Sequence, residues 1–190
     1  VPVKTFKELV ELAKQKPGAL NYASSGVGGS LHLAAELLKR RAGFEMTHVA
    51  YKGAGPAIAG ALAGEVPVMV GAVPSTLAYV TSGRLRALAT TGAKRHKVTA
   101  DLPTVAESGY AGFENIAWFG LFVPIGTPKS IVERIRNESL KALEHPDVQR
   151  TMARLGLDRE TSTPTELAAR ITAETAQLAV VIKEAAIRAE

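Results

Sequence analysis

The chain has 190 residues, no cysteine and a formal net charge of +5 at pH 7. That length suits one α/β domain or two small lobes with ample core, and the missing cysteine excludes disulfides, thiol catalysis and cysteine-based zinc or iron–sulfur sites. Apolar content of 46% argues against disorder, and no run is long and apolar enough to cross a membrane. No signal peptide is visible and the chain starts Val1-Pro2, so it reads as processed or as a piece of something longer. The basic excess does not point to nucleic acid. Lys39-Arg40-Arg41 ends a predicted helix, where cations complement the dipole, and Lys94-Arg95-His96-Lys97 sits in a polar loop without interleaved aromatics.

Thr5-Phe6-Lys7-Glu8 fits a capping box opening a helix with Phe6, Leu9, Val10, Leu12 and Ala13 on one face, stopped by Lys16-Pro17-Gly18. Asn21 to Ser24 reads as a short strand, followed by a glycine-rich turn and a helix to about Arg41. Met46 to Tyr51 is a second strand, Lys52 to Pro56 a second glycine turn, and a helix runs from about Pro56 to Ala63. Val66 to Val70 is a third strand, although Pro67 suits only its start or an edge. Gly71 to Ser75 turns into a helix through about Thr81, and Leu85 to Thr90 reads as a fourth strand.

This alternation predicts a mostly parallel sheet with helices on both faces. Ligands of such sheets bind beyond the carboxyl ends of the strands, where the three turns lie. After Thr91 the rhythm changes: a polar stretch with a helical turn at Thr104–Glu107 leads to an apolar strand, Ala117 to Val123. Three helices follow, from about Lys129 to Glu144 with Ile131 and Ile135 inside, after Pro146, and from Pro164 to the end with Thr163 as cap. A boundary near Asn115 to Phe119 divides the chain into residues 1–115 and 116–190.

The turn Ser24-Ser25-Gly26-Val27-Gly28-Gly29-Ser30 carries the chemistry. A helix starting there aims unpaired N–H groups and its positive dipole end out of the turn, and three serines add hydroxyls, a seat for a carboxylate or phosphate. The same residues also suit a plain tight connection. Nucleotide motifs fail: Leu31 stands where G-x-G-x-x-G needs its last glycine, and no Walker lysine follows. His32 and Glu36 share a helix face without completing a metal site, and His48 reads as a structural histidine. Ser25 and His32 could approach one another, but no orienting acid stands beside them, so no catalytic set is assigned. Tyr51-Lys52 suits an anion or plain surface, and Trp118 lines a cleft or fills a core.

Several stretches together resemble one family. They are Asn21-Tyr22-Ala23-Ser24-Ser25-Gly26 with His32, His48 to Gly53, Gly83 to Ala89, Pro103 to Glu107, and Trp118-Phe119-Gly120 running into Pro124 to Pro128. In order and spacing the chain is similar to the Bug proteins, the TctC-like substrate-binding receptors of tripartite tricarboxylate transporters. The resemblance implies a periplasmic-binding-protein-like α/β fold: a parallel-rich sheet flanked by helices as the second lobe, and a C-terminal helical segment belonging to the first. Residues 1–115 would then be the ligand-binding lobe and 116–190 a crossover strand with helices returning to the other lobe.

It also implies a periplasmic receptor that hands a small carboxylate to a membrane permease, with no catalysis, cofactor or metal and no nucleic acid. The implied ligand-binding residues are Ser24, Ser25, Gly26, Val27, Gly28, Gly29, Ser30, His32, Tyr51, Lys52, Ala72, Ser75 and Trp118. Family members carry roughly a further third of chain before the position of Val1, so this sequence resembles a fragment. Its exposed apolar surface would favour dimerisation or strand exchange. Gly29 replaces a frequent Ser or Thr, and Gly71-Ala72 a frequent Asp-Asn pair, which implies a plainer or more aromatic carboxylate than an amino-dicarboxylate. A two-lobed sensor on the same fold, and more remotely a hydrolase-like enzyme using Ser25 and His32, are the alternatives.

Overall fold

The computed structural model describes residues 1–188. Helix α1 (Phe6–Gln15) precedes strand β1 (Asn21–Ser24), helix α2 (Ser30–Ala42), strand β2 (Thr47–Ala50), helix α3 (Ala54–Ala63), strand β3 (Val68–Met69) and helix α4 (Val73–Thr81). A 3₁₀ turn at Lys97–Thr99 and a long irregular stretch lead to α5 (Lys129–Glu144), α6 (Pro146–Leu155) and α7 (Pro164–Glu184). The three strands are parallel in the order β2-β1-β3, with Tyr22 opposite His48 and Val68.

The central strand is covered on both faces, and its residues alternate between them. Tyr22 points into the larger core with Phe6, Val10 and Ala13 of α1, Ala35 and Leu38 of α2, Val105, Phe113 and Val181 of α7. Ala23 points the other way, against Ala57 of α3 and Val66. Phe6 meets the Tyr110 ring edge-on at 5.8 Å, and Gly43 ends α2 in the left-handed conformation at φ 65°.

The helices and the first two strands follow the sequence pattern closely; three expected strands and one helix face depart from it. Leu85–Thr90 is no strand but one parallel bridge, Thr90 to Thr104, while Leu88 and Ala89 still pack on the core. Val66–Val70 narrows to the two-residue strand Val68–Met69 at the edge of the sheet, where Pro67 is tolerated. Ala117–Val123 is no strand either, for it has no pairing neighbour among the described residues. Phe119 is 90% exposed and Phe122 67%. Ile131 and Ile135 of α5 are exposed, not inside, because no described element lies across that face. The expected caps form: the Thr163 hydroxyl accepts from Glu166 N–H, and the Glu166 carboxylate takes Thr163 N–H. At α1 the Thr5 hydroxyl accepts from Glu8 N–H, but the Glu8 carboxylate takes Lys4 N–H.

Candidate functional site

The three turns after β1, β2 and β3 meet at the carboxyl edge of the sheet. Tyr51 N–H donates to Ser24 O at 3.1 Å and Gly53 N–H to Ser25 O at 3.0 Å, which ties the second turn to the first. Val70 N–H donates to Ala23 O at 3.0 Å and brings in the third. The helices that leave these turns, α2, α3 and α4, have Gly29, Gly53 and Ala72 as N-caps, and none receives a side-chain cap. Of the other helices, α1, α6 and α7 are capped by Thr5, His145 and Thr163, while α5, which follows Pro128, is not. The N–H groups of Val27, Gly29, Ser30 and Leu31 find no acceptor among the described residues. No acidic residue lies in any of the three turns, and exposed Lys52 adds a positive charge.

Gly28 at φ 70° gives the first turn a conformation costly for other residues. Ser24 is fully buried: its Oγ accepts from Gly26 N–H at 3.3 Å, donates to Gly26 O at 3.1 Å, and lies 2.7 Å from His48 Nε2. Ser25, Gly26 and Gly29 are half-buried, while Val27, Gly28 and Ser30 are exposed at the mouth. His32 does not face that mouth. Its Nδ1 accepts Gly28 N–H at 3.0 Å and its Nε2 lies 3.8 Å from Glu36 Oε1, so neither ring nitrogen is turned to Ser25. The Tyr51 side chain lies back over α3, so close to Gly60 that a Cβ there would clash with its hydroxyl. Only its backbone serves the turn. Ser75 Oγ donates to Ala72 O at 2.9 Å within the third turn. Trp118 is elsewhere: it donates to Glu174 of α7 at 2.9 Å beneath the Arg170 guanidinium. A cleft beside it holds Glu114, Glu160 and Glu174 against that one arginine, a poor place for an anion.

Below the first turn lies a polar cluster that periodicity did not reveal. His32 stacks on His48 at 3.8 Å, and His48 on Tyr22 at 4.9 Å. The Tyr22 hydroxyl donates to Glu36 at 2.7 Å, and Lys39 donates to both Glu36 oxygens at 2.9 Å. The sequence carries only part of its signal, the one-turn spacings of His32, Glu36 and Lys39 along α2; the register that sets Tyr22 beside His48 comes from the fold.

Burial, with Glu36 against it, lowers the His32 pKa. Burial and then neighbouring His32 push His48 down to about 4. Burial and the bond to Glu36 raise the Tyr22 phenol, which stays a neutral donor. Between about pH 6.5, where an unfolded histidine titrates, and about 4 the unfolded chain binds protons that folded His48 refuses. Stability is therefore complete above that window and lost as pH falls through it. The slope stays under the full ~1.4 kcal/mol per pH unit of one proton, since His48 is only half-buried. Urea midpoints should fall from pH 7 to 4.5 in wild type and less steeply in His48→Phe; equal slopes would refute the assignment.

The profile of the family described as TctC, tripartite tricarboxylate transporter family receptor, matches residues 1–187. The chain belongs to this family. A UPF0065 protein in the tcbD-tcbE intergenic region of Pseudomonas sp. strain P51 is 40% identical over 173 residues, 90% of this chain and 52% of that protein. Protein BugT of Bordetella pertussis is 32% identical over 93% of this chain and 54% of its own length. Among solved structures, R. palustris Rpa4515 with adipate superposes with a TM-score of 0.87 at 32% identity, over 98% of this chain and 62% of that one. MatC of Rhodopseudomonas palustris with bound malate gives 0.82 at 30% identity, over 95% and 63%. This TctC-family chain thus spans about half the length of the curated relatives named here.

Proposed function

We propose that the protein is a periplasmic receptor that captures a small carboxylate for a tripartite tricarboxylate-type permease. The observation that carries this reading is the convergence of three helix N-termini without side-chain caps, free of acidic residues, at one edge of a parallel sheet. Backbone N–H groups there suit a carboxylate without an arginine clamp. Ser24 to Ser30, with the Tyr51 backbone, Lys52, Ala72 and Ser75, form one wall of the cleft. Ser24 and His32 act in it from within, and Trp118 belongs to the cleft only where the other lobe closes.

Residues 1–115 are the ligand-binding lobe in this reading, and 116–190 the crossover and helices returning to the other lobe. The exposed run Phe119, Leu121, Phe122 and Ile125 supports a covering surface there. The chain without that surface would associate with a second copy. His32, whose Nδ1 is taken by Gly28 N–H and whose Nε2 faces Glu36, supports binding without catalysis. Adipate and malate in the two solved relatives favour a dicarboxylate, and apolar Gly71-Ala72 favours one without an amino group.

Thermal shift of the full-length protein against succinate, glutarate, malate, adipate, citrate and benzoate tests this. A true ligand at a hundred times its Kd stabilises by about 2.7 kcal/mol. Gly28→Val, which forces a branched residue to positive φ, should weaken that ligand more than about tenfold with the circular dichroism unchanged. No response to any mono-, di- or tricarboxylate would overturn the reading.

A further inference from the structure

We infer that the stacked His32–His48 pair is the positioning element of the Ser24–Ser30 turn, holding it from inside so that its remaining N–H groups point outward. This rests on the reading of the turn as a carboxylate seat. A glycine-rich turn has many conformations of similar energy, and an anion seat works only when the donors already converge. Each ring secures one part of the turn. His32 takes Gly28 N–H on Nδ1, the one donor of the turn satisfied by a side chain from the following helix. His48 holds Ser24 Oγ, which in turn holds both the N–H and the carbonyl of Gly26.

The Gly28 bond also fixes the His32 tautomer. Gly28 N–H donates to His32 Nδ1, so that nitrogen is bare and the proton sits on Nε2, toward Glu36. His48 Nε2 and the Ser24 hydroxyl share one hydrogen bond of 2.7 Å, shorter than the 3.1 Å from that hydroxyl to Gly26 O. The two rings lie 16° from parallel at 3.8 Å, so neither can swing without displacing the other. Tyr22 below them and the Glu36–Lys39 pair beside them close the remaining directions. The ligand therefore meets a turn whose two internal donors, Gly26 and Gly28, are already spent. Among the described residues, the N–H groups of Val27, Gly29, Ser30 and Leu31 have no acceptor and are left to bind.

The test compares His32→Asn, whose side-chain oxygen can replace Nδ1 as acceptor, with His32→Leu, which cannot accept. In full-length protein without ligand, Gly28 amide exchange should speed up more than about tenfold in His32→Leu and return to within about threefold of wild type in His32→Asn. Affinity for the linear C4, C5 and C6 dicarboxylates, used as probes in calorimetry, should fall by more than about tenfold in the leucine variant and recover in the asparagine variant. Equal exchange in all three proteins overturns the inference, as does faster exchange with unchanged affinity. Wild type that binds none of the probes while its Gly28 amide follows the expected order would sink the carboxylate reading and leave the support of the turn standing. If His32→Leu fails to fold, His48→Gln against His48→Leu reads the other ring through the Gly26 amide by the same criteria.

Discussion

Replacing Tyr22 by alanine is expected to lower the unfolding free energy by about 3–5 kcal/mol, the largest effect of any single substitution in the sheet. Tyr22 is fully buried in the central strand and touches both α1 and α2 through one core. Its ring is also the floor on which His48 rests. Alanine would leave a cavity between two helices and a sheet that cannot collapse together, because β1 is hydrogen-bonded on both sides. Tyr22→Phe separates the contributions. It keeps the packing and removes only the hydroxyl that donates to Glu36, so its cost should be about 1.5–3 kcal/mol, the range for hydrogen bonds to charged groups. Urea unfolding followed by circular dichroism measures both. A loss below about 1 kcal/mol for alanine would mean that the core is not organised around this ring.

The second large effect belongs to Lys39→Met. The side chains of Glu36 and Lys39 are only 11% and 12% exposed, and the ammonium contacts both carboxylate oxygens. Removing the lysine strands a carboxylate beside an apolar core, which typically costs about 3–5 kcal/mol. Exposed Glu45, 3.6 Å from the same ammonium, is not a substitute partner for Glu36. Glu36→Gln with Lys39→Met should recover much of the loss, since the pair removed together leaves no uncompensated charge. The double-mutant cycle should therefore give a coupling of about 2 kcal/mol or more. Additivity within about 0.5 kcal/mol would show that the two charges do not depend on one another.

Local rules decided a great deal of this protein. The capping residues Thr5 and Thr163, the stop at Gly43 and the alternation of short apolar strands with helical faces all depend on neighbours a few residues away, and these elements stand where the sequence places them. The three turns at one sheet edge follow from the same alternation, because parallel strands put all their carboxyl ends on one side. Segments whose stability comes from distant partners were not legible. Leu85–Thr90 and Ala117–Val123 have strand composition, yet a strand exists only where another edge accepts its hydrogen bonds. Ile131 and Ile135 follow helical spacing, yet burial needs a surface opposite them.

The candidate site divides along the same line. Its mouth, from Ser25 to Ser30 with Lys52, was readable because glycines, serines and a helix start are local signals of an anion seat. Its support was not. His32 carries no mark in the sequence of whether its ring faces a ligand or turns inward. That choice came from the register of β1 and β2, which sets His48 and Tyr22 beneath the ring, and from Glu36 one turn further along α2. By itself the sequence determined the turns, their donors and the edge where they gather, since short-range sterics and hydrogen bonding set these. Only the tertiary structure decided which donors stay free, because that depends on side chains brought from different elements into one buried stack.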